Sequence, residues 1–215
     1  MSKAQSNIRR YEKNECIFFR KTKEDWGGLS NMAGGYKIVL DGVNILTAEA
    51  LYQACRFPHL PEVQKLILEQ RSPMTAKMVG KPHRANTRPD WPQVRIRVMK
   101  WCIRVKLLNN IHQFGSLLLG TKDLPIVEWS RKDEFWGAKL YEEKYFIGIN
   151  ALGRLLMELR EDIKVNQSIF SNGLEPLDIE VFDLLGSPIM VQHMTDKIQF
   201  NDNTLNEDDQ LKLLD

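Results

Sequence analysis

Residues 91–110, WPQVRIRVMKWCIRVKLLNN, decide between a sheet-rich and a helix-rich molecule. Val94, Ile96 and Val98 alternate with arginines, as they would on a half-buried strand. The alternation fails from Met99 to Ile103, whereas Val94, Val98, Trp101 or Cys102, Val105 and Leu108 keep helical spacing, so the stretch reads as one long helix. Upstream, Thr47 suits an N-cap, AEALYQACRF (48–57) follows as helix until Pro58, and PEVQKLILEQ (61–70) is a second short helix. Ser72-Pro73 opens a third helix that Gly80 closes, and KPHRANTRPD (81–90) reads as a basic, proline-broken loop. Downstream, Asn150 is expected to cap a final amphipathic helix with Leu152, Leu155, Leu156, Leu159 and Ile163 as its buried stripe.

Strand signals are few: ECIFFR (15–20), KIVLDGVNIL (37–46) folded about an Asp41-Gly42 turn, LPIVEWS (124–130), and DIEVF (178–182). The fold class is therefore α+β, mainly helical: a compact single domain with a small β-hairpin or sheet. Residues 1–15 form an N-terminal segment, 16–164 the domain, and 165–215 a C-terminal extension that ends in an acidic tail and is too short for a second independent core.

With 43 % apolar and 27 % charged residues in 215, the chain is neither collagenous, mucin-like nor wholly disordered. No apolar run reaches the ~18 residues of a membrane helix, and residues 1–15 hold no signal-peptide core, so a cytoplasmic location without membrane partners is expected. Cys16, Cys55 and Cys102 are far apart with no C-x-x-C, as reduced core thiols would be. The formal net charge of +2 hides an asymmetry. Arg56 to Lys106 holds twelve Lys/Arg against three Asp/Glu, a local +9, while residues 201–215 hold five acids and one Lys, a local −4. The basic middle is either a set of solvated helix faces or a surface that attracts phosphate.

Phosphate-loop, zinc-protease and serine-elbow motifs are absent, and His59, His83, His112 and His193 have no metal-ligand spacing, so neither a metal nor a cofactor is expected. What remains is two acids beside aromatics and glycines: Glu49 at a helix start and Asp133 in RKDEFWG with Phe135, Trp136 and Gly137. Glu49 would feel a helix dipole that favours its charged, basic form, or it merely satisfies the helix end. Asp133 is either a second acid or an Asx-turn residue. Trp91 and Trp136 are either ligand walls or core fillers. Together these types suit cleavage of an N-glycosidic bond: carboxylates polarise water and steady oxocarbenium-like charge, and aromatic faces stack a base or sugar. The helix start Gly148-Ile149-Asn150-Ala151-Leu152-Gly153 could offer N–H groups to phosphate, or reflect only capping and close packing.

The ordered blocks GGLSNM (27–32), Asp41-Gly42 then LTAEALYQACRF (46–57), SPMTAKMVGK (72–81), W-P-x-x-R with VMKWCIRVKLLNN (91–110), LLLGTKDLPIVEWSRKDEFWG (117–137) and GINALGRLLMELR (148–160) resemble the NADAR family over residues 16–162. The resemblance implies a mainly helical α+β fold without a metal, acting on N-glycosides of ribose phosphates or ADP-ribose. Such proteins include N-glycosidases of early riboflavin-pathway intermediates and hydrolases that remove ADP-ribose from guanine in nucleic acid. Some of the latter are antitoxins to DNA ADP-ribosyltransferase toxins. Carried over by position, the catalytic acid falls on Glu49, the loop Trp on Trp91, and the D-x-x-W-G acid, Trp and Gly on Asp133, Trp136 and Gly137. Ser30 and Asn31 match the glycine loop, and Asn150 with Gly153 the last helix start. The family's His after the Glu is Ala50 here, and its Lys before Phe is Arg56, which keeps a phosphate partner as a planar fork.

The implied reading is an ADP-ribosyl glycohydrolase acting on ADP-ribosylated guanine in DNA or nucleotides, with a toxin of the DNA ADP-ribosyltransferase class as a further partner. The alternatives are hydrolysis of phosphoribosyl riboflavin intermediates and a non-catalytic module that binds ADP-ribose or NAD.

Overall fold

A computed structural model describes residues 7–165 and 172–194. The long helix is present as α4 (Trp91–Asn109), with Val98, Trp101, Cys102, Val105 and Leu108 all buried, so period 3.6 governs this segment and the early alternation is incidental. Around it stand α1 (Ala48–Ala54), α2 (Pro61–Leu68), α3 (Pro73–Val79), α5 (Ser116–Gly120) and α6 (Ala151–Val165). Local chemistry explains their starts. Thr47 Oγ1 accepts the Ala50 N–H at 3.2 Å at the head of α1, and Ser72 Oγ accepts that of Thr75 at 3.1 Å, with Pro73 at the first helical position of α3.

The strands β1 (Arg9–Glu12), β7 (Tyr145–Gly148) and β6 (Lys139–Tyr141) form an antiparallel sheet in the order β1-β7-β6. β2 (Ile17–Phe19) pairs in parallel with β5 (Ile126–Glu128), and β3 (Ile38–Leu40) with β4 (Val43–Ile45) as a hairpin. In that hairpin Asp41 and Gly42 take φ of 47° and 81°, the left-handed conformations this tight turn needs. Residues 9–12, outside the expected domain span, thus supply an edge strand.

Three expectations are corrected. KPHRANTRPD contains a 3₁₀ helix over Lys81–Asn86. DIEVF is not a strand, because Val181 sits at φ 48° and breaks the extended run; a short hairpin of β8 (Asp183–Leu184) and β9 (Ser187–Pro188) follows it. The Asn150 side chain does not cap α6, as detailed below.

Residues 172–194 lie against α2 and α4. Phe182 meets the Trp101 indole edge-on at 4.9 Å, and Trp101 Nε1 donates to the Glu175 carbonyl at 3.0 Å. Gln64 is bonded from both ends of its carboxamide, to the Asp183 carbonyl at 2.9 Å and from the Leu185 N–H at 2.6 Å. Leu174, Phe182, Leu184 and Ile189 belong to the same apolar core as α1 and α4. The acidic tail lies outside the described residues. Cys16, Cys55 and Cys102 are buried free thiols, and among the described residues no helix is long and apolar enough to cross a membrane.

Candidate active site

Helix α1 sets Glu49, Tyr52 and Gln53 on one face, since residues three and four apart stack along a helix. Glu49 is only 6 % exposed. Its Oε1 accepts from Gln53 Nε2 at 2.9 Å, and Gln53 Oε1 accepts in turn from Arg56 Nη1 at 3.4 Å. Burial pushes the Glu49 carboxyl above the usual carboxylate range, opposed in part by Lys77, by the Gln53 hydrogen bond and by Arg56. Desolvation thus opposes the helix dipole, which favours the charged form.

The Tyr52 ring stands between the two candidate indoles, 5.0 Å from Trp91 and 5.7 Å from Trp136, centroid to centroid. Phe135 meets Trp136 edge-on at 5.0 Å. Cations flank this aromatic row: the Arg56 guanidinium lies 5.1 Å above Trp91, and that of Arg95 3.8 Å above Phe135. The Nε atoms of Arg56 and Arg95 are buried without a hydrogen-bond partner. Among the described residues Arg56, Lys77, Lys81, Arg84 and Arg95 make no salt bridge.

A second acid, Glu128 at the end of β5, was not legible in the sequence, where it reads as one more position of a short strand. Burial, then the nearby charges of Asp133 and Glu49, push its pKa up to about 7, with Lys77 opposing. No hydrogen bond among the described residues reaches its carboxylate. Lys77 on α3, also unexpected, is the cation whose field both acids feel.

Asp133 is exposed, and its Oδ1 accepts the N–H groups of Phe135 and Trp136, each at 2.9 Å. This is the Asx turn, and it fixes the loop that carries Trp136. The carbonyls of Phe135 and Trp136 accept from Ala151 and Leu152 at 2.9 and 3.0 Å. These first amides of α6 are thereby used on the loop, which corrects their reading as a phosphate cradle.

Asn150 and Gly153 form the joint beneath. Asn150, at φ 51°, donates from Nδ2 to the Ile126 carbonyl at 2.8 Å and accepts at Oδ1 from the Glu128 N–H at 3.0 Å. A Cβ on Gly153 would fall 2.2 Å from the Ile126 carbonyl oxygen, and one on Gly137 2.4 Å from that of Glu128. These three residues hold β5 and so aim Glu128; none presents a free side-chain group to a ligand.

Ser30 Oγ accepts the Met32 N–H inside its own loop at 3.1 Å, while the Asn31 carbonyl accepts the Glu49 N–H at 3.1 Å. The loop is anchored by Lys106, a buried lysine whose amine donates to the carbonyls of Gly28 at 2.6 Å and Ser30 at 3.2 Å. The rings of Tyr36 and Phe114 close over that amine at 4.2 and 4.0 Å. Burial drives its pKa well down; the carbonyls and ring faces act the other way, favouring the cation.

Glu49, Arg56, Trp91 and Trp136 are thus brought together around Tyr52, with Asn31 behind them and Asp133, Gly137, Asn150 and Gly153 as supports. A separate cavity of about 500 Å³ between α4 and residues 172–177 has its Lys100 and Arg104 paired to Glu158 and Asp162.

Two acids with raised pKa beside an aromatic row, on a small mainly helical α+β domain, mark the general class of a carboxylate-based candidate site. The NADAR domain model matches residues 17–164, and the chain belongs to the NADAR family. It is 31 % identical over 160 residues to N-glycosidase YbiA of Escherichia coli, covering 74 % of this chain and 96 % of that one. It is 31 % identical over 148 residues to Riboflavin biosynthesis protein VVA0006 of Vibrio vulnificus, covering 69 % and 38 %. The NMR structure of E. coli YbiA superposes with a TM-score of 0.60 at 30 % identity, covering 72 % of this chain and 89 % of the other.

Proposed function

We propose that this protein is an N-glycosidase that hydrolyses the bond between a ribose anomeric carbon and a nitrogen of a base or amine. The observation that carries the reading is the pair of raised acids, Glu49 and Glu128, beside the row Trp91–Tyr52–Trp136. Burial raises both carboxyls, that of Glu128 to about 7 and under the influence of the Glu49 charge, as a pair that divides proton donation from proton acceptance requires. Glu49, the deeper acid, gives its proton to the departing nitrogen as the carbon–nitrogen bond breaks with its electron pair on nitrogen. Glu128 takes the proton of the water whose oxygen bonds to the anomeric carbon. Proton exchange through Glu128 and solvent resets the pair. The indoles and Tyr52 wall the sugar and base, and Asp133 acts by holding Trp136.

For the substrate we favour ADP-ribosylated guanine in DNA or nucleotides, with an antitoxin role against a DNA ADP-ribosyltransferase. The support is the set of cations that make no salt bridge among the described residues, Arg56, Lys77, Lys81, Arg84 and Arg95, suited to a pyrophosphate and a nucleic-acid backbone. Phosphoribosyl intermediates of riboflavin synthesis are the second reading, supported by the names of relatives such as the Vibrio protein.

Side-by-side turnover of a guanine-ADP-ribosylated oligonucleotide and of the phosphoribosylaminopyrimidine tests both. Release of ADP-ribose at the higher kcat/KM is expected, and preference for the small substrate reverses the ranking. Tight calorimetric binding of ADP-ribose with neither substrate cleaved would leave a binding module and refute the enzymatic reading.

A further inference from the structure

Residues 172–194 lie outside the matched NADAR span of 17–164, yet one of their contacts leads straight to the cleft. Arg88, three residues before Trp91, is only 4 % exposed. Its guanidinium donates to the Val181 carbonyl at 3.0 Å and to the Glu180 carbonyl, and grips the Asp90 carboxylate with Nη2 at 2.9 Å from Oδ2 and Nε on Oδ1. The backbone of Arg88 faces the other way. Its N–H donates to the Arg56 carbonyl at 2.9 Å, and its carbonyl accepts the Trp91 N–H at 3.1 Å. One buried fork therefore joins the extension to both the residue that carries a rim cation and the indole beneath that cation.

The extension's side of this joint is held under strain. Val181 sits at φ 48°, which a β-branched residue adopts only where its surroundings over-determine it. Those surroundings are the two carbonyls turned onto Arg88. The segment is in turn moored well away from the cleft, by Phe182 on Trp101, by Gln64 on Asp183 and Leu185, and by Gln192 Nε2 on Asp41 Oδ1 at 2.9 Å.

We infer that residues 172–194 are a working part of the ligand pocket, with Arg88 as the positioning residue through which they set where Trp91 and Arg56 stand. The consequence for ligand affinity rests on the pocket proposed above; the anchoring itself does not. Arg88 touches no reacting atom, so its effect falls on binding of the phosphate-bearing and stacked parts of a ligand more than on the chemical step.

The test uses the full chain with Arg88→Lys, Phe182→Ala and, as a control for stability alone, Phe146→Leu in the small core under the β1-β7-β6 sheet. Arg88→Lys keeps the charge but loses the fork. Phe182→Ala loosens the extension from its far side. Amide hydrogen exchange at Arg88 and Trp91, followed in the ligand-free proteins, is expected to quicken at least about tenfold in the first two and not in the third. KM for the guanine-ADP-ribosylated oligonucleotide, and Kd for ADP-ribose, should rise about tenfold with kcat within about threefold.

Unchanged exchange at these amides in Arg88→Lys and Phe182→Ala overturns the inference whatever the activity. Faster exchange with KM and Kd unmoved overturns the link to the pocket, as does an equal KM rise in Phe146→Leu. Should the wild type bind and cleave nothing, the proposed function falls, while the exchange measurement still decides whether the extension anchors this segment.

Discussion

The two indole walls of the proposed site are held in opposite ways. The Trp136 wall is held by near neighbours: Asp133, three residues away, takes its N–H, and the first turn of α6 takes the carbonyls beside it. The Trp91 wall is held from afar, through Arg88, by the carbonyls of Val181 and Glu180, 93 and 92 positions along the chain. A wall fixed by local turns forms wherever its few residues are present, whereas a wall fixed at long range depends on a segment outside the family domain. The hydrogen bonds that hold Trp136 stay within the matched domain, whereas those that reach Trp91 through Arg88 come from residues outside it.

The largest effect is expected where the walls meet. Glu49→Gln preserves the hydrogen bond to Gln53 but removes the transferable proton, so kcat/KM should fall at least about a hundredfold, measured on whichever substrate is turned over. A loss below about threefold would mean that neither wall serves an acid at this position.

A smaller loss sharpens the contrast. Asp133→Ala strips the acceptor from two amides and should cost about 1–2 kcal/mol in thermal or denaturant unfolding, with roughly a tenfold drop in kcat/KM. Hydrogen exchange at Trp91 should stay at the wild-type rate in this variant. If it quickens as much as that at Trp136, the two walls are one cooperative unit and the comparison fails.

The smallest effect is a pH dependence. A carboxyl whose pKa is higher folded than unfolded stabilises the protein fully below the unfolded value, and that contribution is lost as pH rises through the folded value. For Glu128 the window runs from the ordinary carboxylate range up to about 7. Glu128→Gln should therefore gain Tm relative to wild type as pH is raised from 5 to 8, while the limb of the kcat/KM profile near pH 7 disappears. A Tm difference that does not change with pH would show that Glu128 is not desolvated as the geometry has it.

What was legible in the sequence follows the same division. The β3–β4 turn announced itself because Asp41-Gly42 is a dipeptide that tolerates positive φ. The β6–β7 turn did not, since Glu142 and Glu143 take φ of 49° and 54° without glycine or asparagine to mark them. Glu49, Trp91 and Trp136 could be singled out from their neighbours, and the fold brings them around Tyr52. Glu128 could not, because its strand identity is plain and the charges that act on it, Glu49, Lys77 and Asp133, come from elements distant in sequence or from the following loop. The partners of Arg88 in residues 172–194 are carbonyl oxygens, which every residue has, so no letter of the sequence advertises them. Asn150 was found for the wrong reason: its carboxamide is a brace for β5 rather than a cap for α6.

Lys106 has a consequence beyond anchoring. A trans peptide sets its oxygen and its hydrogen on opposite sides, so an amine that gathers the oxygens of Gly28 and Ser30 necessarily orients the hydrogens of Leu29 and Asn31 outward from it. The lysine thereby polarises the whole glycine turn, acting as an internal compass needle for dipoles that contain no charged side chain of their own.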